Sequence, residues 1–129
     1  MLTPSRLQLS RRKGFNLQAL SLATNGLPAV NVARPNKWGN PYRIGEYYRG
    51  IDDDGKLVGH YRCTSTKEAV QCFREMMTNP RWRYQDDILK ELSGKNLACW
   101  CKFGGEPCHA DVLLALAGRS HDAMPGNPP

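Results

Sequence analysis

Asn96-Leu97-Ala98-Cys99-Trp100-Cys101-Lys102-Phe103-Gly104-Gly105-Glu106-Pro107-Cys108-His109-Ala110-Asp111 gathers three cysteines and a histidine around one turn of a 129-residue chain. The apolar run at 97–101 follows a Ser93-Gly94 break and precedes a Gly-Gly loop, Pro107 and a segment rich in alanine and leucine. That order spells strand, loop and helix N-terminus, with a helix expected from about His109 to Ala117 and a stop at Gly118. In open α/β sheets such a junction lies beyond the carboxyl end of a strand. Free backbone N–H groups and the positive end of the helix dipole face a ligand there. Any chemistry in this chain is expected at this point.

Outward from the junction, the next clear element is a helix. Ser65-Thr66-Lys67-Glu68 forms a capping box, and Ala69, Cys72, Phe73, Met76 and Met77 recur at helical spacing as one apolar core face. Asn79-Pro80 ends it, and Arg81-Trp82-Arg83-Tyr84 leads into a second short helix carrying Ile88, Leu89 and Leu92. Toward the N-terminus, residues 29–33 read as a buried strand ending at Arg34-Pro35, and residues 7–10 as a shorter alternating one. Asn36 to Tyr42 reads as a shaped loop, since glycine, proline and asparagine dominate it. Residues 44–48 and 57–62 flank Asp52-Asp53-Asp54-Gly55, a hairpin signal with a solvated acidic tip. The leucine-bearing stretch 16–24 has no regular period.

Length allows one domain with a modest core that needs neither disulfide nor metal to fold. No stretch is apolar enough to span a membrane, and five cysteines without a regular framework point to reduced thiols, so a cytoplasmic protein is expected. The net charge of +6 is one-sided: through Arg49, eight basic residues stand against Glu46 alone, while ten basic and eleven acidic residues follow. Such a bias favours phosphate-bearing partners, with a merely solubilising face as the alternative.

The cysteine block supports two chemistries. Zn²⁺ takes thiolate and imidazole in a tetrahedron, and Cys-x-Cys-x6-Cys-His offers four such donors. On a regular strand Cys99 and Cys101 would lie about 6.6–7 Å apart. Cys101, Cys108 and His109 are therefore the better trio unless the strand ends between the first two. Alternatively Cys108, in the first turn of a helix, is a nucleophile favoured by the dipole, with His109 as proton acceptor and Asp111 nearby. A purely structural reading also stands, in which Cys99 packs in the core, His109 bonds the loop backbone and Asp111 compensates the dipole. In the other loop, Arg34 and Lys37 suit phosphate, Trp38 offers a stacking face and Asn40 an amide for a base or sugar. Arg11, Arg12 and Lys13 add a basic triplet after the first strand. No Walker loop, His-Glu-x-x-His or dinucleotide glycine fingerprint is present.

Three ordered blocks carry a family resemblance: Leu9-Ser10-Arg11-Arg12-Lys13-Gly14-Phe15; Val32-Ala33-Arg34-Pro35-x-Lys37-Trp38-Gly39-Asn40-Pro41-Tyr42; and Leu97-Ala98-Cys99-Trp100-Cys101 followed by Pro107-Cys108-His109-Ala110-Asp111-Val112-Leu113. Together they resemble the domain of unknown function 4326 family of bacteria and their phages. The resemblance implies a small intracellular α/β domain, marks the second and third blocks as signatures, and supplies no reaction.

The expected fold is a single small, three-layer-like α/β domain over residues 1–118. A short mixed or parallel sheet is flanked by about three helices and carries a β-hairpin insertion, and residues 119–129 form a disordered tail. If the strands at 29–33 and 97–101 lie parallel, their loops open at one edge and make one pocket. The expected ligand there is phosphate-bearing: a nucleotide, a nucleoside derivative or a nucleic-acid segment, bound or processed. The alternatives are a non-catalytic nucleic-acid module using residues 6–13 and 81–84, and a zinc-stabilised interaction domain.

Overall fold

Leu97 and Cys99 belong to one apolar cluster and Ala98 to another, so this strand is covered on both faces. Such double burial is what a parallel sheet requires. The computed structural model describes residues 3–52, 54, 56–79, 84–101 and 107–118. The chain runs β1 (Arg6–Gln8), α1 (Leu17–Asn25), β2 (Ala29–Asn31), β3 (Tyr47–Ile51), β4 (Leu57–Arg62), α2 (Thr66–Thr78), α3 (Tyr84–Leu92), β5 (Asn96–Cys99) and α4 (His109–Ala117). β5 is the middle strand, parallel to β1 on one side and β2 on the other. β3 and β4 form a separate antiparallel hairpin with an irregularity between Gly50 and Ile51.

The sheet divides the core. On one face Val32, Leu97 and Cys99 pack with Phe73 and Met77 of α2, Ile88 and Leu92 of α3, and the apolar side of α4. On the other, Leu7, Leu9, Ala29, Ala33 and Ala98 pack with Phe15 and Leu17. Three layers result, as expected for this α/β class. No helix among the described residues is long and apolar enough to cross a membrane.

Four helices are described rather than about three. The additional one, α1, is built by its caps: the Asn16 side chain accepts from the Ala19 N–H, and Gly26 closes the end at φ 81°, its N–H bonding the Leu22 carbonyl. Its buried residue is Ser21, while Leu20 and Leu22 are exposed. Of its three leucines only Leu17 packs against the core, so the apolar residues mark no regular buried face and the helix is hidden from periodicity. Polar side chains anchor α1 instead. Asn25 and Asn96 exchange amide hydrogen bonds at 2.8 Å in each direction, and Asn96 also donates to Ser21 Oγ at 2.7 Å and accepts from the Ser5 N–H. Asn96 is fully buried, and these partners satisfy its amide.

Element ends differ from expectation in ways that shape the pocket. β5 stops at Cys99 rather than Cys101, and the β2 ladder stops at Asn31 rather than Ala33. The Asn31 side chain accepts from the Ala33 N–H and turns the chain there. β3 starts at Tyr47, because Gly45 at φ 90° bends the chain before it. The Ser65 cap on α2 is present, accepting from the Glu68 N–H at 3.0 Å, but Glu68 answers to the N–H and hydroxyl of Thr64. The hairpin residues Asp53 and Gly55, the Arg81-Trp82-Arg83 stretch, the Gly104-Gly105 loop and the tail 119–129 lie outside the described residues.

Candidate functional site

Because β2 and β5 are adjacent and parallel, the chain leaves both at the same edge of the sheet. A cavity of about 380 Å³ opens there, a size suited to a small organic ligand. Cys99, Cys101, Cys108 and His109 line it from the β5–α4 junction, Arg34 and Asn40 from the loop after β2, and Tyr42, Arg43 and Thr66 from the segments beside them. Its composition is mixed: apolar walls with a few converging polar groups.

The early end of β5 lets Cys101 turn back toward Cys99. The sulfurs of Cys99, Cys101 and Cys108 all lie within 4.8 Å of one another, with Cys99 and Cys108 at 3.1 Å. The thiol trio is therefore Cys99, Cys101 and Cys108, in place of the expected set of Cys101, Cys108 and His109. His109 donates through Nε2 to the Val32 carbonyl at 2.7 Å, and its Nδ1 lies 3.9 Å from Cys108 Sγ. Arg6 approaches Cys99 Sγ at 4.0 Å from β1.

These contacts separate the thiols electrostatically. Hydrogen bonding from Cys99 holds Cys108 down at about 3, with His109, Cys101 and the Ala110 N–H assisting and burial opposing. The same bond to Cys108, together with burial, pushes Cys99 up; burial and Cys108 likewise push Cys101 up. Negative charge within the trio is thus favoured at Cys108.

Arg34 folds back on its own loop, its Nε donating to the Asn40 carbonyl and its Nη2 to the Tyr42 carbonyl at 2.8 Å. Burial, and after it the positive charge of Arg43, lower the Arg34 pKa. Among the described residues neither forms an ion pair. Both residues line the cavity, and Glu46 and Cys101 act on Arg34 in the opposite direction.

The other expected residues are placed differently. Trp38 is buried in the core, edge-on to Tyr84 at 6.5 Å, so it offers no stacking face. Lys37 lies over the Trp38 ring and pairs with Glu91 at 2.5 Å, away from the cavity lining. The amide of Asn40 lines the cavity yet is committed to structure, donating to the Ala69 carbonyl and accepting from the Tyr42 N–H. Asp111 faces Arg6, with Nε and Oδ1 3.4 Å apart, so it is not aimed at Cys108. In the basic triplet, Arg12 and Lys13 are exposed, while Arg11 stacks its guanidinium 4.5 Å above the Trp100 ring.

A family model for a domain of unknown function, DUF4326, matches residues 16–119. The chain belongs to the DUF4326 family. The matched span of this DUF4326 chain covers both the Arg34–Asn40 loop and the cysteine block, and it includes α1. The block 9–15 precedes the match. No curated protein and no solved structure shows a match to the chain.

Two cavity residues of this DUF4326 domain escaped sequence reading. Arg43 is one more cation in a basic region, and only the loop's path brings it to the same cavity as Arg34. Trp100 follows buried Cys99 and is partly exposed at the cavity, so it, rather than Trp38, is the tryptophan that lines the site, beside Tyr42.

Proposed function

We propose that this DUF4326 domain binds a phosphate-bearing ligand of nucleotide size in the strand-end cavity. The observation that carries the reading is that Arg34 and Arg43 both line a cavity at the carboxyl edge of a parallel sheet. Two cationic side chains at one wall favour an anion, and guanidinium forks match phosphate oxygens. The start of α4 adds its dipole: Cys108 occupies the N-cap position without a side-chain capping bond. Trp100 supplies an aromatic surface at the same opening for a base or another planar group. Five free cysteines suit a reducing, cytoplasmic setting.

Calorimetric titration with inorganic phosphate and with nucleoside mono- and diphosphates tests the reading. Arg43→Ala should weaken binding by roughly tenfold or more, the worth of a charge-assisted hydrogen bond. Lys37→Ala should leave it unchanged. Equal affinity of the wild type and Arg43→Ala, or no binding of any phosphate compound, would remove the proposal. Binding confined to oligonucleotides, with a steep salt dependence, would move the function to nucleic acid.

A further inference from the structure

The three sulfurs on the cavity floor make more than a redox pair. A disulfide needs two sulfurs at about 2.05 Å. Here three converge, with Cys101 brought in by a chain that leaves the sheet immediately after Cys99. In tetrahedral zinc with Zn–S bonds of about 2.3 Å, the sulfurs stand about 3.8 Å apart. The observed separations, from 3.1 Å between Cys99 and Cys108 to no more than 4.8 Å within the trio, bracket that value. An iron–sulfur cluster carries its thiolates on different iron atoms, whereas three sulfurs within 4.8 Å of one another suit a single ion.

We propose that Cys99, Cys101 and Cys108 bind one zinc ion as a three-thiolate site whose fourth coordination position faces the cavity. All three cysteines line that cavity, so the open position is reached by water or by a ligand donor from it. Three protein donors and one exchangeable position is the arrangement of reactive zinc, whereas structural zinc is closed by a fourth protein ligand. His109 acts as a positioning residue. Its Nε2–H is held by the Val32 carbonyl, which fixes the ring beside Cys108 without making it one of the converging trio. Arg6, beside Cys99, and Arg34, at the cavity wall, offset the excess negative charge of three thiolates on a divalent ion. The proposal rests on the sulfur positions and holds whether or not the cavity takes a phosphate ligand.

The full-length chain, purified under reducing conditions and stripped of metal, is titrated with Zn²⁺ against a chromophoric chelator, with no phosphate compound present. Native mass spectrometry reads the stoichiometry, and Co²⁺ replaces zinc to report thiolate-to-metal charge transfer and coordination number. One metal per chain is expected. Cys101→Ser should weaken binding by more than about 100-fold while the domain stays folded by circular dichroism, because Cys101 is only half-buried. Cys63→Ser and Cys72→Ser should bind as the wild type does. His109→Gln should retain zinc within about tenfold. Absence of a stoichiometric metal, or wild-type affinity in folded Cys101→Ser, would overturn the site. Loss of zinc in folded His109→Gln would overturn the open fourth position, making His109 a ligand.

Discussion

His109 and Val32 join the two signature blocks directly: the imidazole Nε2 donates to the Val32 carbonyl at 2.7 Å across 77 residues of chain. The same ring stands edge-on to Phe73, with centroids 5.3 Å apart. One side chain thus locks the first turn of α4 to the end of β2 and to α2. His109→Ala removes that bond and leaves a void beside Phe73, so unfolding in urea should show a loss of about 2–4 kcal/mol. His109→Gln, which keeps an N–H donor, should lose less. Equal stability of all three proteins would show that this junction carries no tension between the blocks.

Trp38 and Trp100 should separate stability from binding. Trp38 fills the core between the loop and α3, so Trp38→Ala should cost about 3–5 kcal/mol in chemical denaturation. Trp100 is partly exposed under Arg11, and Trp100→Ala should change stability by less than about 1 kcal/mol. Its effect should appear in titrations of the cavity ligand instead.

Gly39 permits the loop to close on itself. A β-carbon at this position would stand 2.9 Å from both the Cα and the N of Arg34, which are backbone atoms with little room to yield. Gly39→Ala is expected to lower stability by about 1–3 kcal/mol and to displace Arg34 from the cavity wall. A denaturation midpoint unchanged from the wild type would contradict the close approach.

Acid sensitivity should trace to Glu68. Its carboxylate accepts from the Tyr48 hydroxyl at 2.6 Å and from the Thr64 N–H and hydroxyl, and these bonds hold its pKa below the ordinary 4.5, Tyr48 first. A carboxyl lowered in the folded state binds protons more readily when unfolded. The stabilisation is therefore complete above pH 4.5 and is lost as pH falls from there through the lower folded value. Thermal unfolding followed from pH 7 to pH 3 should show a steeper acid decline for the wild type than for Glu68→Gln. Parallel profiles would assign the decline to other groups. The bond also couples the hairpin to α2, since Tyr48 lies on β3.

Local chemistry alone determined a good part of this protein. The Ser65 cap and the 69-72-73-76-77 stripe specify α2, and Pro107 with the alanine- and leucine-rich run places α4 at His109–Ala117, because caps and periodicity act within a few residues. The two apolar strands with loops dense in special residues were enough to point to one shared pocket. Only the tertiary structure decided which side chains enter it. Trp38 and Lys37 leave for the core and for Glu91, Asp111 turns to Arg6, and Arg43 and Trp100 come in. The cysteine trio was likewise hidden, since its geometry depends on β5 ending at Cys99, and that end is set by pairing with β1 and β2. Helix α1 was hidden for a related reason: it is anchored by Asn25, Ser21 and Asn96, polar groups whose value comes from partners about seventy residues away. A residue's type records what it can bond, whereas long-range packing selects which partner it meets.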